Sequence, residues 1–274
     1  MPLPPVRAIA RPGRPCEHPG VVAAAHPPPG RGRGAVLEDL HVRLRAEPKR
    51  GGIRWLAVLD PAAAEAYAAA VAPLVPAIEA ALPPEVLANR VAAVHPSPVR
   101  IELEAWELAR ARFRRLVRER AARAGAALMV DVRDCYGSIS AATVAAALAA
   151  LGCDGREVGA VVRVLERLAA CGVRGLPIGP EPSAVLANAV LLAVDRALRE
   201  GGWRHLRWVD DVIVFTEGPS AAAEALERFT AAVDGLGLAV ATSKTRVIVD
   251  PAAIRGAAIG SGPAARPPGR PASG

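Results

Sequence analysis

Lysine is almost absent from this chain, occurring only at positions 49 and 244, so nearly all of the positive charge is arginine. Where guanidinium is the default, a retained lysine points to a use for a compact ammonium with a shiftable pKa. Cysteine is scarce too, at positions 16, 135, 153 and 171. There is no C-x-x-C and no His pair at zinc-finger spacing, which excludes a zinc ribbon and a thioredoxin-type redox motif. The thiols are expected to be reduced small core residues of a cytoplasmic protein. No apolar run reaches the ~18 residues that cross a bilayer, and the first residues lack the continuous apolar stretch of a secretory signal. No membrane partner is therefore expected. Aromatic residues make up 3% of a chain that is 52% hydrophobic, so alanine and valine dominate the apolar content.

What is present is arginine, alanine, glycine and proline, with a net charge of +7 and a pI near 10.0. That balance suits a protein that meets phosphate groups. The 274 residues allow one large or two small domains. Residues 1–34 are rich in Pro, Gly and Arg and are expected to form a disordered arm, because they bury too little apolar surface to offset their ordering entropy. From 35 to 125 the pattern is mostly helical. It is interrupted near 47–61 by a Gly-tipped hairpin whose basic groups Lys49, Arg50 and Arg54 are suited to converge on a triphosphate. A helix from residue 62 carries Tyr67, Val71, Leu74 and Ile78 on one face and must kink at Pro73 and Pro76. A long basic helix is predicted over 102–123.

The stretch 126–140 reads as a strand ending in Asp131, after which Ser140 caps a helix to residue 150. An acid at the end of a buried strand is costly unless it is paired or holds a metal. A helix over 156–170 leads to the loop Gly172-Val173-Arg174-Gly175-Leu176-Pro177-Ile178-Gly179-Pro180, and Pro182 opens a helix to 199. Residues 205–215 form a tight hairpin with Asp210 and Asp211 at its tip. Adjacent carboxylates repel, so one must take a proton or share a cation, and hard oxygen ligands favour magnesium. A helix over 220–235 ends at Gly235, short strands at 238–241 and 245–249 flank Lys244, and a frayed tail begins at 251.

Strand, helices, hairpin, helix and strand between 126 and 249 make an antiparallel sheet backed by helices, the arrangement of a polymerase palm. Here the residues resemble the reverse transcriptases. Asp131-Val132-Arg133-Asp134-Cys135-Tyr136 looks like the first palm motif, an aspartate followed five residues later by an aromatic. Gly175-Leu176-Pro177-Ile178-Gly179-Pro180 with Ser183, Ala187 and Asn188 is similar to the second, Trp208-Val209-Asp210-Asp211 to the third, and Leu236-Gly237-Leu238 with Ser243-Lys244-Thr245 to the fourth. The Gly-Leu-Pro-x-Gly-Pro form resembles bacterial abortive-infection and antiphage members.

The resemblance implies an α+β fold: a palm over 126–250 with a ferredoxin-like βαββαβ core and finger-like helices inserted near 141–171, mostly helical fingers over 35–125, and a disordered tail over 251–274. About two dozen residues follow the fourth motif, so the family's thumb is expected to be missing. Two Mg²⁺ ions, with Mn²⁺ as a substitute, would be held by Asp131 and Asp210 with Val132 beside them, and Asp211 would add charge. Tyr136 would lie under the sugar and exclude a 2′-hydroxyl, Lys244 would act as proton donor, and Lys49 or Arg50 with Arg54 would clamp the triphosphate. Val132, Gly179 and Pro180 would line the nucleotide site. The implied partners are an RNA template, the DNA product, dNTPs, and a partner chain or second copy in place of the thumb. Ile178 stands where the family commonly has Gln, and Trp208, expected as a platform under the primer end, where it has Tyr. The alternative is a catalytically weak or inactive palm that binds RNA as a scaffold, which retention of all three acids disfavours.

Overall fold

In the computed structural model, which describes residues 41–49 and 52–260, the first described element is a long hairpin. β1 (Val42–Lys49) and β2 (Gly52–Leu59) pair antiparallel from Val42 opposite Leu59 to Lys49 opposite Gly52. The arm expected over 1–34, Arg50 and the tail beyond 260 lie outside the described residues. Asp60 caps α1 (Pro61–Val71) by accepting from the Ala63 amide, and Pro61 starts it with a φ already suited to a helix. The expected kink is a 3₁₀ turn at 72–74 containing Pro73, after which α2 (Val75–Ala81) resumes with Pro76 in its first turn. By length and composition the run Pro61–Ala81 passes for a membrane span, contrary to the sequence reading. Its inner face, Tyr67, Val71, Leu74 and Ile78, is however buried in the protein core.

The region over 35–125 is less helical than its sequence implies. Besides β1 and β2 it contains a second hairpin, β3 (Val91–Pro96) and β4 (Val99–Leu103), whose alternate residues in β3 face inward. Because β4 takes residues 102 and 103, the basic helix α3 spans only Trp106–Ala121. Its arginines are largely committed to protein: Arg112 to Glu104, Arg115 to Glu119, and Arg120 to the His205 carbonyl and Glu85.

The rest follows the expected order: β5 (Ala126–Asp131), the short α4 (Cys135–Ser138), α5 (Ala141–Ala150), α6 (Gly155–Ala170), α7 (Glu181–Glu200), β6 (Arg204–Trp208), β7 (Asp211–Thr216), α8 (Pro219–Gly235) and β8 (Arg246–Ile248). Ser140 caps α5 by accepting from the Thr143 amide. The sheet order is β6-β7-β5-β8 with every pair antiparallel, which is the ferredoxin-like arrangement. Every residue of β5 is buried, because the sheet is covered on both faces. Leu128, Val130, Val212 and Val214 face a core shared with α5 to α8, while Ala127, Met129, Leu206, Ile213 and Phe215 face Phe113 and Val117 of α3.

Two local expectations change. The helix α8 ends one residue before its C-cap Leu236, and the left-handed glycine that lets the chain turn away is Gly237, φ +70°, rather than Gly235. The frayed tail expected from 251 starts as a helix, α9 (Pro251–Gly260). Asp250 caps it, accepting from the amides of Ala252 and Ala253, and Ile254 inserts fully buried beside Phe113, Val117 and Trp208. Burial against α3 supplies what this short alanine-rich segment lacks in local signal.

Candidate active site

Three carboxylates converge where β5 ends and β7 begins. The antiparallel register sets Asp131 opposite Asp211, and β6 and β7 close with Trp208 opposite Asp211, leaving Val209 and Asp210 as a two-residue turn. Such turns require a left-handed residue, and Val209 takes that role at φ +59°. Carboxylate oxygens of Asp131, Asp210 and Asp211 all lie within 4.8 Å of one another. Asp131 is 3% exposed. Burial and then repulsion from Asp131 push the Asp210 carboxyl up to about 6. Burial and then repulsion from Asp210 and Asp131 push Asp211 up to about 7.

One cation already sits against this charge. Lys244 Nζ donates to Asp131 Oδ2 at 2.6 Å. Burial pulls the Lys244 pKa down, but its bond to Asp131 and the charges of all three acids outweigh it, and the net shift is upward. The segment before Lys244 is tied to the end of β5: Ala241 N donates to Asp131 O at 2.8 Å and Arg133 N to Ala239 O at 2.7 Å. These bonds bracket the bridge between Val132 and Val240, so the peptide groups of Val132 turn to the opposite side, where β7 lies. Residues 242–244 form a 3₁₀ turn and β8 is only three residues long, where two short strands were expected.

Three hard-oxygen donors within 4.8 Å of one another, two of them pushed by burial and then by repulsion toward holding protons, match the requirements of a divalent cation such as Mg²⁺. The donor set of Asp131, Asp210 and Asp211 therefore fits a divalent metal of the kind the sequence implies.

The Gly-Pro loop is docked between this site and the first hairpin. Leu176 N donates to the Tyr136 carbonyl at 2.8 Å, and a Cβ on Gly175, φ +65°, would lie 2.3 Å from that oxygen. Ala57 N of β2 donates to Ile178 O at 2.8 Å, which joins the hairpin to the loop. Gly179 is exposed at φ +127° and Pro180, half-buried, precedes α7. Tyr136 is half-buried at the start of α4; burial, then Cys135 and Asp210, raise its phenol well above the ordinary value. Arg54 is half-buried on β2 and its charge acts on Asp210. Lys49 is exposed at the end of β1.

Trp208 is not a platform. It is 4% exposed, with the Arg110 guanidinium 5.0 Å from its ring centre and Trp106 and Phe113 against it at 6.1 and 5.4 Å. Arg110, so held, also acts on Asp211.

Sequence reasoning assigned no role to a buried network behind the turn. Arg207, Asp195, His205 and Asn188 are each 2% exposed or less. Arg207 binds the Asp195 carboxylate with Nε and Nη2, and His205 Nε2 lies 3.0 Å from the same group. The signal was present: His205 and Arg207 alternate with the apolar Leu206 and Trp208, which puts an imidazole and a guanidinium on a covered face of β6 and calls for an acid on the facing helix.

Residues 86–259, well over half of the chain, match the reverse transcriptase (RNA-dependent DNA polymerase) family. Among solved structures the chain is similar to apo telomerase from Candida tropicalis truncated from its C-terminal domain, at 13% identity and TM-score 0.48, covering 76% of this chain and 49% of that one. It is similar to apo telomerase from Candida tropicalis at 11% identity and TM-score 0.49, covering 77% and 45%. For telomerase from Candida albicans in complex with the TWJ fragment of telomeric RNA the values are 12% and 0.44, covering 78% and 42%. The chain spans about half the length of the first of these structures and less of the other two. No curated protein matches it.

Proposed function

Because the chain belongs to the reverse transcriptase (RNA-dependent DNA polymerase) family, we propose that it is a divalent-metal-dependent nucleotidyltransferase that adds dNTPs to a primer 3′-hydroxyl on an RNA template. The observation that carries this reading is the meeting of Asp131, Asp210 and Asp211 within 4.8 Å. Mg²⁺ there, or Mn²⁺ in its place, supplies a lowered pKa for the primer hydroxyl and offsets the triphosphate charge.

Asp131 and Asp210 are the ligands, with the Val132 peptide beside them, and Asp211 adds negative charge. Lys244, hydrogen-bonded to Asp131, is the group able to hand a proton to the leaving pyrophosphate. Arg54 binds the triphosphate, with Lys49 reaching it from the end of β1, because each phosphate oxygen accepts charge-assisted bonds. Tyr136 packs against the sugar, where its ring leaves no room for a 2′-hydroxyl. Gly179 and Pro180 border the nucleotide because a loop without Cβ at Gly179 lets a flat group come close. The Gly175-Leu176-Pro177-Ile178-Gly179-Pro180 loop supports a narrower assignment to an antiphage type acting in the cytoplasm.

The test gives the full chain Mg²⁺ and labelled dNTPs, with and without an RNA template and primer, beside an Asp210→Ala, Asp211→Ala variant. Incorporation by the wild type alone is the expected result. Incorporation that persists in the variant, or none by a wild type that still binds RNA, would overturn this reading, the second outcome in favour of a non-catalytic RNA-binding scaffold.

A further inference from the structure

The turn that presents Asp210 is built on an unfavourable residue. Val209 is β-branched and sits at φ +59°, a region that suits glycine and crowds a branched Cβ. Residues held in this way persist only when their surroundings over-determine them. Glycine would adopt the same backbone without strain. Something other than local preference therefore holds the turn.

That something is Arg207. Its Nη1 donates to the Val209 carbonyl at 2.9 Å and to Asn188 Oδ1 at 2.8 Å. Its Nε and Nη2 meet both oxygens of Asp195 at 2.8 to 3.0 Å. Asp195 stays charged: burial drives its pKa up, but Arg207 and His205 more than reverse this. Asn188 is anchored in turn, donating to the carbonyls of Ala88 and Asn89 at 3.2 Å. The backbone of Arg207 is pinned on the same side, its N–H donating to Glu85 O at 2.9 Å and its carbonyl accepting from Leu87 N at 3.1 Å. One planar guanidinium thus joins α7 to the strained turn, with the 85–89 segment tied in through Asn188 and the Arg207 backbone, and its fixed fork directs a donor at the Val209 oxygen.

We propose that Arg207 is a positioning residue of the reaction, clamping the Val209-Asp210 turn through the Val209 carbonyl so that Asp210 is held toward Asp131. The proposal rests on the reading of the three acids as the catalytic site. A lysine at 207 keeps the charge beside Asp195, but its ammonium cannot serve the carboxylate, Asn188 and the Val209 oxygen in the same geometry. Released, the turn relaxes toward negative φ at Val209, and the Asp210 carboxylate moves with it.

The experiment compares wild type, Arg207→Lys, Val209→Gly and the double variant for kcat and KM of dNTP incorporation in the full chain. Arg207→Lys should lower kcat about tenfold or more with KM within about twofold, the mark of lost alignment rather than lost substrate binding. Adding Val209→Gly should recover kcat several-fold, because glycine holds the turn without the clamp. A purely structural role for Arg207 gives no such rescue, since glycine at 209 restores none of the buried contacts. Arg207→Lys with wild-type kcat, or a double variant no better than Arg207→Lys, overturns the proposal. Should Arg207→Lys not fold, Asn188→Ala leaves the ion pair intact and carries the same test with the same rescue. Amide exchange across 208–211 reads the clamp without catalysis and should be faster in the clamp variants than in the wild type; unchanged exchange counts against it. A wild type that incorporates nothing defeats the polymerase reading, and the exchange measurement still decides the clamp.

Discussion

Lys244 donates to Asp131 Oδ2 at 2.6 Å across 113 positions of sequence. The contact sets one of the chain's two lysines against the most buried of the three acids. If Lys244 supplies both charge and a proton, Lys244→Met should lower single-turnover incorporation by about tenfold to a hundredfold. Lys244→Arg should remain low, since arginine keeps its proton at any working pH. Full activity in the arginine variant would reduce the role to charge alone.

Asp210 at about 6 and Asp211 at about 7 both lie above the ordinary carboxylate value of 3.8. Between that value and neutrality the folded, metal-free chain holds protons that the unfolded chain has released. Its stability should therefore fall as pH rises from about 4 through 7. Removing one acid removes repulsion, so Asp211→Asn should melt higher than the wild type at pH 8 without divalent ions while losing activity. Thermal melts at pH 5 and pH 8 check this; a metal-free wild type that gains stability with rising pH contradicts it.

Gly175→Ala would bring a Cβ to 2.3 Å from the Tyr136 carbonyl at a backbone φ of +65°. The loop and α4 must separate, at an expected cost above about 1 kcal/mol. Denaturant unfolding measures the loss, and because Tyr136 moves with its carbonyl, discrimination between dNTP and NTP should weaken in the same variant.

Ile254 is fully buried beside Phe113, Val117 and Trp208. Ile254→Ala should destabilise the chain by about 2 to 4 kcal/mol. A change of under about half a kilocalorie, typical of exposed sites, would mean that α9 does not cover the sheet in solution.

Much of the palm was legible because its signals are local. The run Ala126–Asp131, the Ser140 cap, Pro182 in the first turn of α7 and the acid pair between two β-branched runs each mark an element within a few residues. The hairpin Val91–Leu103 was not legible, since Pro96 and Pro98 read as breakers and only burial against the core reveals its alternation.

The sequence by itself determined the order of the palm elements and the identity of the acids, because capping, alternation and turn formation depend on neighbours in the chain. Tertiary structure alone decided that Asp131, Asp210, Asp211 and Lys244 share one site, that Trp208 is core, that 251–260 is a helix, and that Arg207 holds the Val209 carbonyl. Sheet register carries Asp131 and Lys244 to the Asp210-Asp211 turn from distant points of the chain, and burial fixes Trp208 and Ile254. Asp195 and Asn188 of α7 hold the Arg207 guanidinium that reaches the Val209 oxygen, and none of this depends on neighbours in sequence.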